Sequence, residues 1–113
     1  MMIYKILRQE EWQTLVTQGQ TTGAPVDLAD GFVHFSTAEQ LPGTLAKYFA
    51  GEDHLILLAL HADPLGEALR WEASRFDMLF PHLYAPLQLS DVAWSAPVGL
   101  DDTGQHILPS GVG

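Results

Sequence analysis

The sequence predicts an α+β domain in which the helices stand apart from a mostly antiparallel sheet. Apolar residues recur at helical spacing in two stretches only, near residues 10–18 and 38–50. The other apolar runs are short and read as strands, the clearest being residues 55–60. The order is strand, helix, strand, helix, then several strands. That is neither an alternating βαβ series nor a bundle.

Each element has its own warrant. Residues 3–7 read as an opening strand, with Ile3, Lys5 and Leu7 on one face and Tyr4 and Ile6 on the other. A helix follows over residues 10–18. Glu10 and Glu11 suit its positive end, and Trp12, Leu15 and Val16 form one apolar stripe. Gly19 stops it. Residues 21–31 read as loop, carrying Gly23, Pro25 and the turn pair Asp30-Gly31. Residues 32–36 read as a second strand. Ser36 and Glu39 then fit a capping box, with Leu41, Leu45, Tyr48 and Phe49 continuing an apolar face. Pro42 leaves two versions of this helix: a separate first turn, or a start near Leu41. Residues 55–60 show no alternation, which suits a strand covered on both faces. Residues 69–73, 80–89 and 92–98 read as extended, with Pro81, Pro86 and Pro97 pushing them toward sheet edges or ends. Residues 1–100 read as one domain, and residues 101–113 as a loosely held tail with a solvent-exposed His106.

Composition bounds the function. The 113 residues carry five Lys+Arg against fourteen Asp+Glu, a formal charge of −9. A surface of that sign opposes a nucleic-acid backbone or an anionic membrane as partner, so no RNA or DNA affinity is expected at physiological salt. There is no Cys, hence no disulfide, which fits a reducing compartment. No signal-like or membrane-length apolar run is visible, and the expected location is the cytoplasm. Metal binding is not expected, because His54, His61, Asp63 and the other His and acidic residues lack ligand spacing. The oligomeric state is not legible.

Three clusters carry candidate chemistry. His34 interrupts an apolar strand just before a helix start, beside the hydroxyls of Ser36 and Thr37. It is placed to grip a ribose or a phosphate; the plain alternative is a core histidine bonded to a carbonyl. Glu72 lies beside Trp71 between Arg70 and Arg75. A carboxylate desolvated by an indole would have a raised pKa and serve as acid or base, whereas the alternative is a surface ion pair. His82 and Tyr84 face the same way after Pro81, as a patch for a planar ligand or as an ordinary edge strand. The four residues His34, Glu72, His82 and Tyr84 are expected to share one cleft, because isolated polar groups in apolar strands each cost free energy. Ser36 would lie beside His34, and Arg70 or Arg75 at the rim.

At these residues a resemblance appears. Tyr4-Lys5-Ile6, Trp12, residues 30–37 (DGFVHFST), Gln40, residues 55–60, Arg70-Trp71-Glu72 and residues 80–84 (FPHLY) occur in an order that resembles a small bacterial family. It is domain-of-unknown-function family nine hundred and fifty-two, and the likeness runs over residues 3–98. That family is grouped with the ADP-ribosyltransferase superfamily. The resemblance therefore implies a split fold, with two helices against small sheets around a nicotinamide cleft. Among that superfamily the chain is most similar to the NAD-dependent RNA 2′-phosphotransferases. Their second-strand His-x-His-x-Ser motif is matched by Val33-His34-Phe35-Ser36, and their late strand by His82 to Tyr84. Their first-strand His-Gly-Thr motif is not matched; Tyr4-Lys5-Ile6 stands there. The leading expectation is a non-catalytic module that keeps a degenerate cleft of this kind and binds a nucleotide-like or other small metabolite, with NAD the cofactor that the resemblance suggests. His34, Glu72 and His82 would be catalytic; Ser36, Thr37, Arg70, Trp71 and Tyr84 would bind ligand. The alternatives are an active enzyme on NAD or ADP-ribose, or a hydrolase using His34 and Glu72.

Overall fold

A computed structural model describes residues 1–74 and 77–112. It is mixed α+β, as the element order requires. The central strand is β4 (Leu55–His61), flanked by β1 (Met2–Leu7) and by β8 (Val92–Leu100), all antiparallel. Leu57, Leu58, Ala59 and Leu60 are fully buried, because β4 is covered on both faces. Ile3, Leu7, Leu58 and Leu60 face one core, closed by Leu15 of α1 (Gln9–Gln18) and by Val33, Phe35 and Leu83. Tyr4, Ile6, Leu55 and Leu57 face the other, closed by Leu41, Leu45 and Phe49 of the α3 region (helix Leu41–Tyr48). Each fully buried Leu contributes about 1.5–3 kcal/mol, so this strand anchors the domain.

A second sheet holds the candidate residues. Its order is β3 (Val33–His34), β6 (Leu79–Leu83), β5 (Leu69–Ala73), again antiparallel. Just beyond β3, Ser36 bridges to Tyr4: each backbone N–H donates to the other's carbonyl at 2.8 Å. That pair of bonds joins the outer edge of β1 to the second sheet and fixes the space between them. A two-stranded ribbon, β2 (Gln20–Thr21) with β7 (Leu87–Gln88), completes the architecture.

Four local expectations change. Residues 21–31 are not all loop: Pro25–Asp30 form the helix α2, with Pro25 in the first turn and Gly31 ending it at φ +84°. Pro favours that position because its missing N–H has no helical partner there in any case. The strand over residues 32–36 is shorter, two ladder residues and the Tyr4–Ser36 bridge. The capping box moves one residue on. Thr37 N–H donates to Gln40 Oε1 at 3.0 Å and Gln40 N–H to Thr37 Oγ1 at 3.3 Å, and the regular helix starts at Leu41. The segment after Leu100 is not loose. β9 (His106–Ile107) pairs with β8, Leu108 and Val112 pack on the second core, and His106 Nε2 lies 2.8 Å from the Glu52 carbonyl. Buried apolar contacts hold that segment down despite its polar composition. Among the described residues no helix is long and apolar enough to cross a membrane.

Candidate functional site

A buried ion pair joins β1 to α2. Lys5 shares a face of β1 with Ile3 and Leu7, and its side chain is buried. A buried ammonium needs a counter-charge. Asp27, from the first turn of α2, supplies it at 2.8 and 3.1 Å. The same carboxylate accepts the N–H of Ala24 at 2.7 Å and of His34 at 2.9 Å, and lies 2.6 Å from His34 Nδ1. Burial pushes the Asp27 carboxyl up. The hydrogen bond from His34 and the charge and bonds of Lys5 outweigh it and hold the group at about 2 against 3.8 ordinarily. His34 Nε2 meets Asp30 at 2.9 Å, so both ring nitrogens are committed.

This fixes an acid response. A carboxyl whose folded pKa lies below its unfolded one contributes stability that is complete above the unfolded value and lost as pH falls through the folded one. For Asp27 the window runs from about 4 down to 2, and its size is about 2 kcal/mol. Carboxyl NMR titration should find Asp27 ionised at pH 3. Protonation near 4 would remove the proposed origin of the response.

The second sheet adds an aromatic cluster. Arg70, His82 and His34 stand opposite one another in register, so they share one face in a row across three strands. Phe32 stacks on His82 at 4.1 Å between centroids and 27° between planes, and touches His34 at 4.5 Å and Tyr84 at 5.1 Å. The rings of His34 and His82 are 5.3 Å apart. Glu72, two residues on from Arg70 and on the same face, accepts at one oxygen from the Tyr84 hydroxyl at 2.7 Å and lies 2.8 Å from His82 Nδ1. The Arg70 guanidinium lies 4.7 Å from the centre of the Tyr84 ring.

A cleft of about 630 Å³ opens between β1, α3 and this sheet. Lys5, His34, Ser36, His82, Arg8 and Phe80 are among its walls. Ser36 Oγ is 2.8 Å from Thr44 Oγ1. A smaller pocket of about 290 Å³, lined by Phe32, Tyr84 and Pro86 among others, lies outside it.

The sequence-predicted residues divide accordingly. Of the four residues expected to share one cleft, His34 and His82 line it with Ser36, Tyr84 lines the smaller pocket, and Glu72 is tied to both His82 and Tyr84; Phe32 touches His34, His82 and Tyr84, and Arg70 lies over Tyr84. Thr37 is used in its own turn with Gln40. Trp71 alternates to the opposite face of β5, paired with Pro81. Arg75 lies outside the described residues. Glu72 does not have the raised pKa expected of it. The hydrogen bond from Tyr84, and then that from His82, hold it below the usual carboxylate range. Sequence reasoning gave no site role to Asp27, to Asp30 and Phe32 of the DGFVHFST run, or to Lys5, which it read as a strand residue and as the place where a first-strand histidine is not matched. Lys5 did carry a signal, being the one charge on the strand face it shares with Ile3 and Leu7. Among the described residues no group of three or more His or acidic side chains is arranged to hold a metal.

The sequence model of a family described as "Protein of unknown function (DUF952)" matches residues 6–95. No curated protein matches. The crystal structure of protein CC0527 from Caulobacter crescentus is similar, with 51 % identity and a TM-score of 0.91 over 96 % of this chain and 95 % of that one. A double mutant of CC0527 gives 49 %, 0.91 and the same coverages. Its solution NMR structure gives 52 % and 0.83, over 92 % and 90 %.

Proposed function

The chain belongs to the DUF952 family of proteins of unknown function, and from that premise we propose that its cleft binds a small nucleotide-like metabolite. The observation that carries this reading is a concave space of about 630 Å³ on which Lys5, His34, Ser36 and His82 converge beside Tyr4 and Phe80. Ligand sites are of that size, largely apolar with a few convergent polar groups. The walls include Tyr4, Phe35, Phe49 and Phe80, and such aromatic faces suit a planar ligand. Charged groups of both signs, Lys5 and Arg8 with Glu10, Glu11 and Asp30, stand among them. Ser36 would contact the sugar, with the His34 ring packed beside it, as the ADP-ribosyltransferase-like resemblance implies.

The second reading is an enzyme of that class acting on NAD or ADP-ribose. It is supported by His34 on β3 and Ser36 just beyond it, both lining the cleft. On the first strand Lys5 is locked to Asp27, which favours binding over transfer.

The test is a thermal-shift series with NAD, ADP-ribose and mononucleotides. A ligand that binds only the folded chain stabilises it by about 2.7 kcal/mol at a hundredfold excess over Kd, a rise in Tm of roughly 10 °C. Loss of that rise in His34→Ala is expected. No rise with any nucleotide would refute the ligand class. Turnover of NAD that disappears in His34→Ala would select the enzyme.

A further inference from the structure

We infer that His82 is a general base serving the cleft, with Glu72 as its positioning residue. The inference rests on the reading that the cleft admits a small ligand, and it goes further by naming the group that moves a proton there.

The histidine has a fixed orientation. Its side chain is 6 % exposed and lines the cleft. Nδ1 lies 2.8 Å from Glu72 Oε1. An ionised carboxylate only accepts, so Nδ1 carries the hydrogen and, in the neutral ring, Nε2 carries the lone pair. Phe32 stacked at 4.1 Å holds the ring plane. The Tyr84 hydroxyl, donating to the same Glu72 oxygen at 2.7 Å, holds the carboxylate. Nε2 has no partner among the described residues. A polar atom on a side chain this buried, in a wall of a cleft, is placed to meet a ligand or a water. His34 cannot take this role, because Asp27 and Asp30 occupy both its nitrogens.

The step is a proton transfer. A hydroxyl of the ligand, or a water beside it, gives its proton to the Nε2 lone pair. The O–H electron pair stays on oxygen, which becomes the nucleophile. His82 becomes an imidazolium, its Nδ1 proton still on Glu72, and the carboxylate stabilises the new charge. This is the arrangement by which a carboxylate selects a histidine tautomer and supports its protonated form.

Two measurements on the full chain test it. Two-bond 1H–15N NMR reads the tautomer of each histidine directly. His82 should show protonated Nδ1 and a bare Nε2. Glu72→Gln, whose amide oxygen still accepts, should keep that pattern; Glu72→Leu should populate the Nε2–H form. Diethylpyrocarbonate then probes the lone pair. Nε2 attacks its carbonyl carbon, a C–O bond breaks, and the leaving ethyl carbonate departs as carbon dioxide and ethanol. Residue-resolved mass spectrometry should find His82 modified ahead of His34, and slowed about tenfold in Glu72→Leu. An Nε2–H tautomer in the parent chain, or His34 reacting first, overturns the inference. The ligand reading fails separately. Nucleotides that raise Tm while His82 shows the wrong tautomer sink the base alone. A correct tautomer and reactivity with no nucleotide effect support the base and sink only the nucleotide class.

Discussion

Asp27→Ala should lose about 3–5 kcal/mol of folding stability, read as a fall in the urea midpoint. The side chains of Lys5 and Asp27 are 6 % and 0 % exposed. Removing the carboxylate leaves an ammonium in an apolar layer beside Ile3 and Leu7. It also strands the N–H groups of Ala24 and His34. Breaking one half of a buried pair costs far more than replacing both halves with apolar groups, since only the first leaves an uncompensated charge. The double variant Lys5→Met with Asp27→Leu should therefore be more stable than Asp27→Ala alone. A domain of ordinary stability holds 5–15 kcal/mol in total, so Asp27→Ala is expected to sit near the edge of folding. A loss under 1 kcal/mol would mean that water reaches Lys5 and that the pair is not the foundation of the site.

The pair also shows where the sequence was legible. β4 could be read because six apolar residues without alternation have few places to go except between two layers. Arg70 and Glu72 share a face by strand alternation, but His82 joins them only through the pairing of β5 with β6. The convergence of His34 with His82 needed more, since they are neighbours only through long-range pairing of β3 with β6. Asp27 was hidden because α2 is six residues long, begins with Pro25, and is bounded by Gly23 and Gly31. Locally that composition is a loop. Only the buried charge on β1 forces a carboxylate to be found there. β1 thus supplies a buried cation, Lys5, tied through Asp27 to His34.

Gly23→Ala should destabilise by about 3 kcal/mol, and by a route that passes through the same carboxylate. Gly23 sits at φ +102°, where a side chain is strained by on the order of 1–3 kcal/mol. An added Cβ would also meet Asp27 Cβ and Cγ at 2.7 Å, with Oδ2 nearer still. A shift of that side chain loosens its bonds to Lys5, Ala24 and His34 together. Gly31 provides the control. It too has a positive φ, +84°, but nothing stands within 4 Å of its Cβ position, so Gly31→Ala should cost only the backbone strain of about 1–2 kcal/mol. Urea midpoints of the two variants separate the contact from the strain. The His34 ring resonances should move in Gly23→Ala and hold still in Gly31→Ala, because only the first displaces the carboxylate bonded to Nδ1. Equal midpoints and an unmoved His34 in both would show that Asp27 has room to yield, and that the glycine is there for its backbone alone.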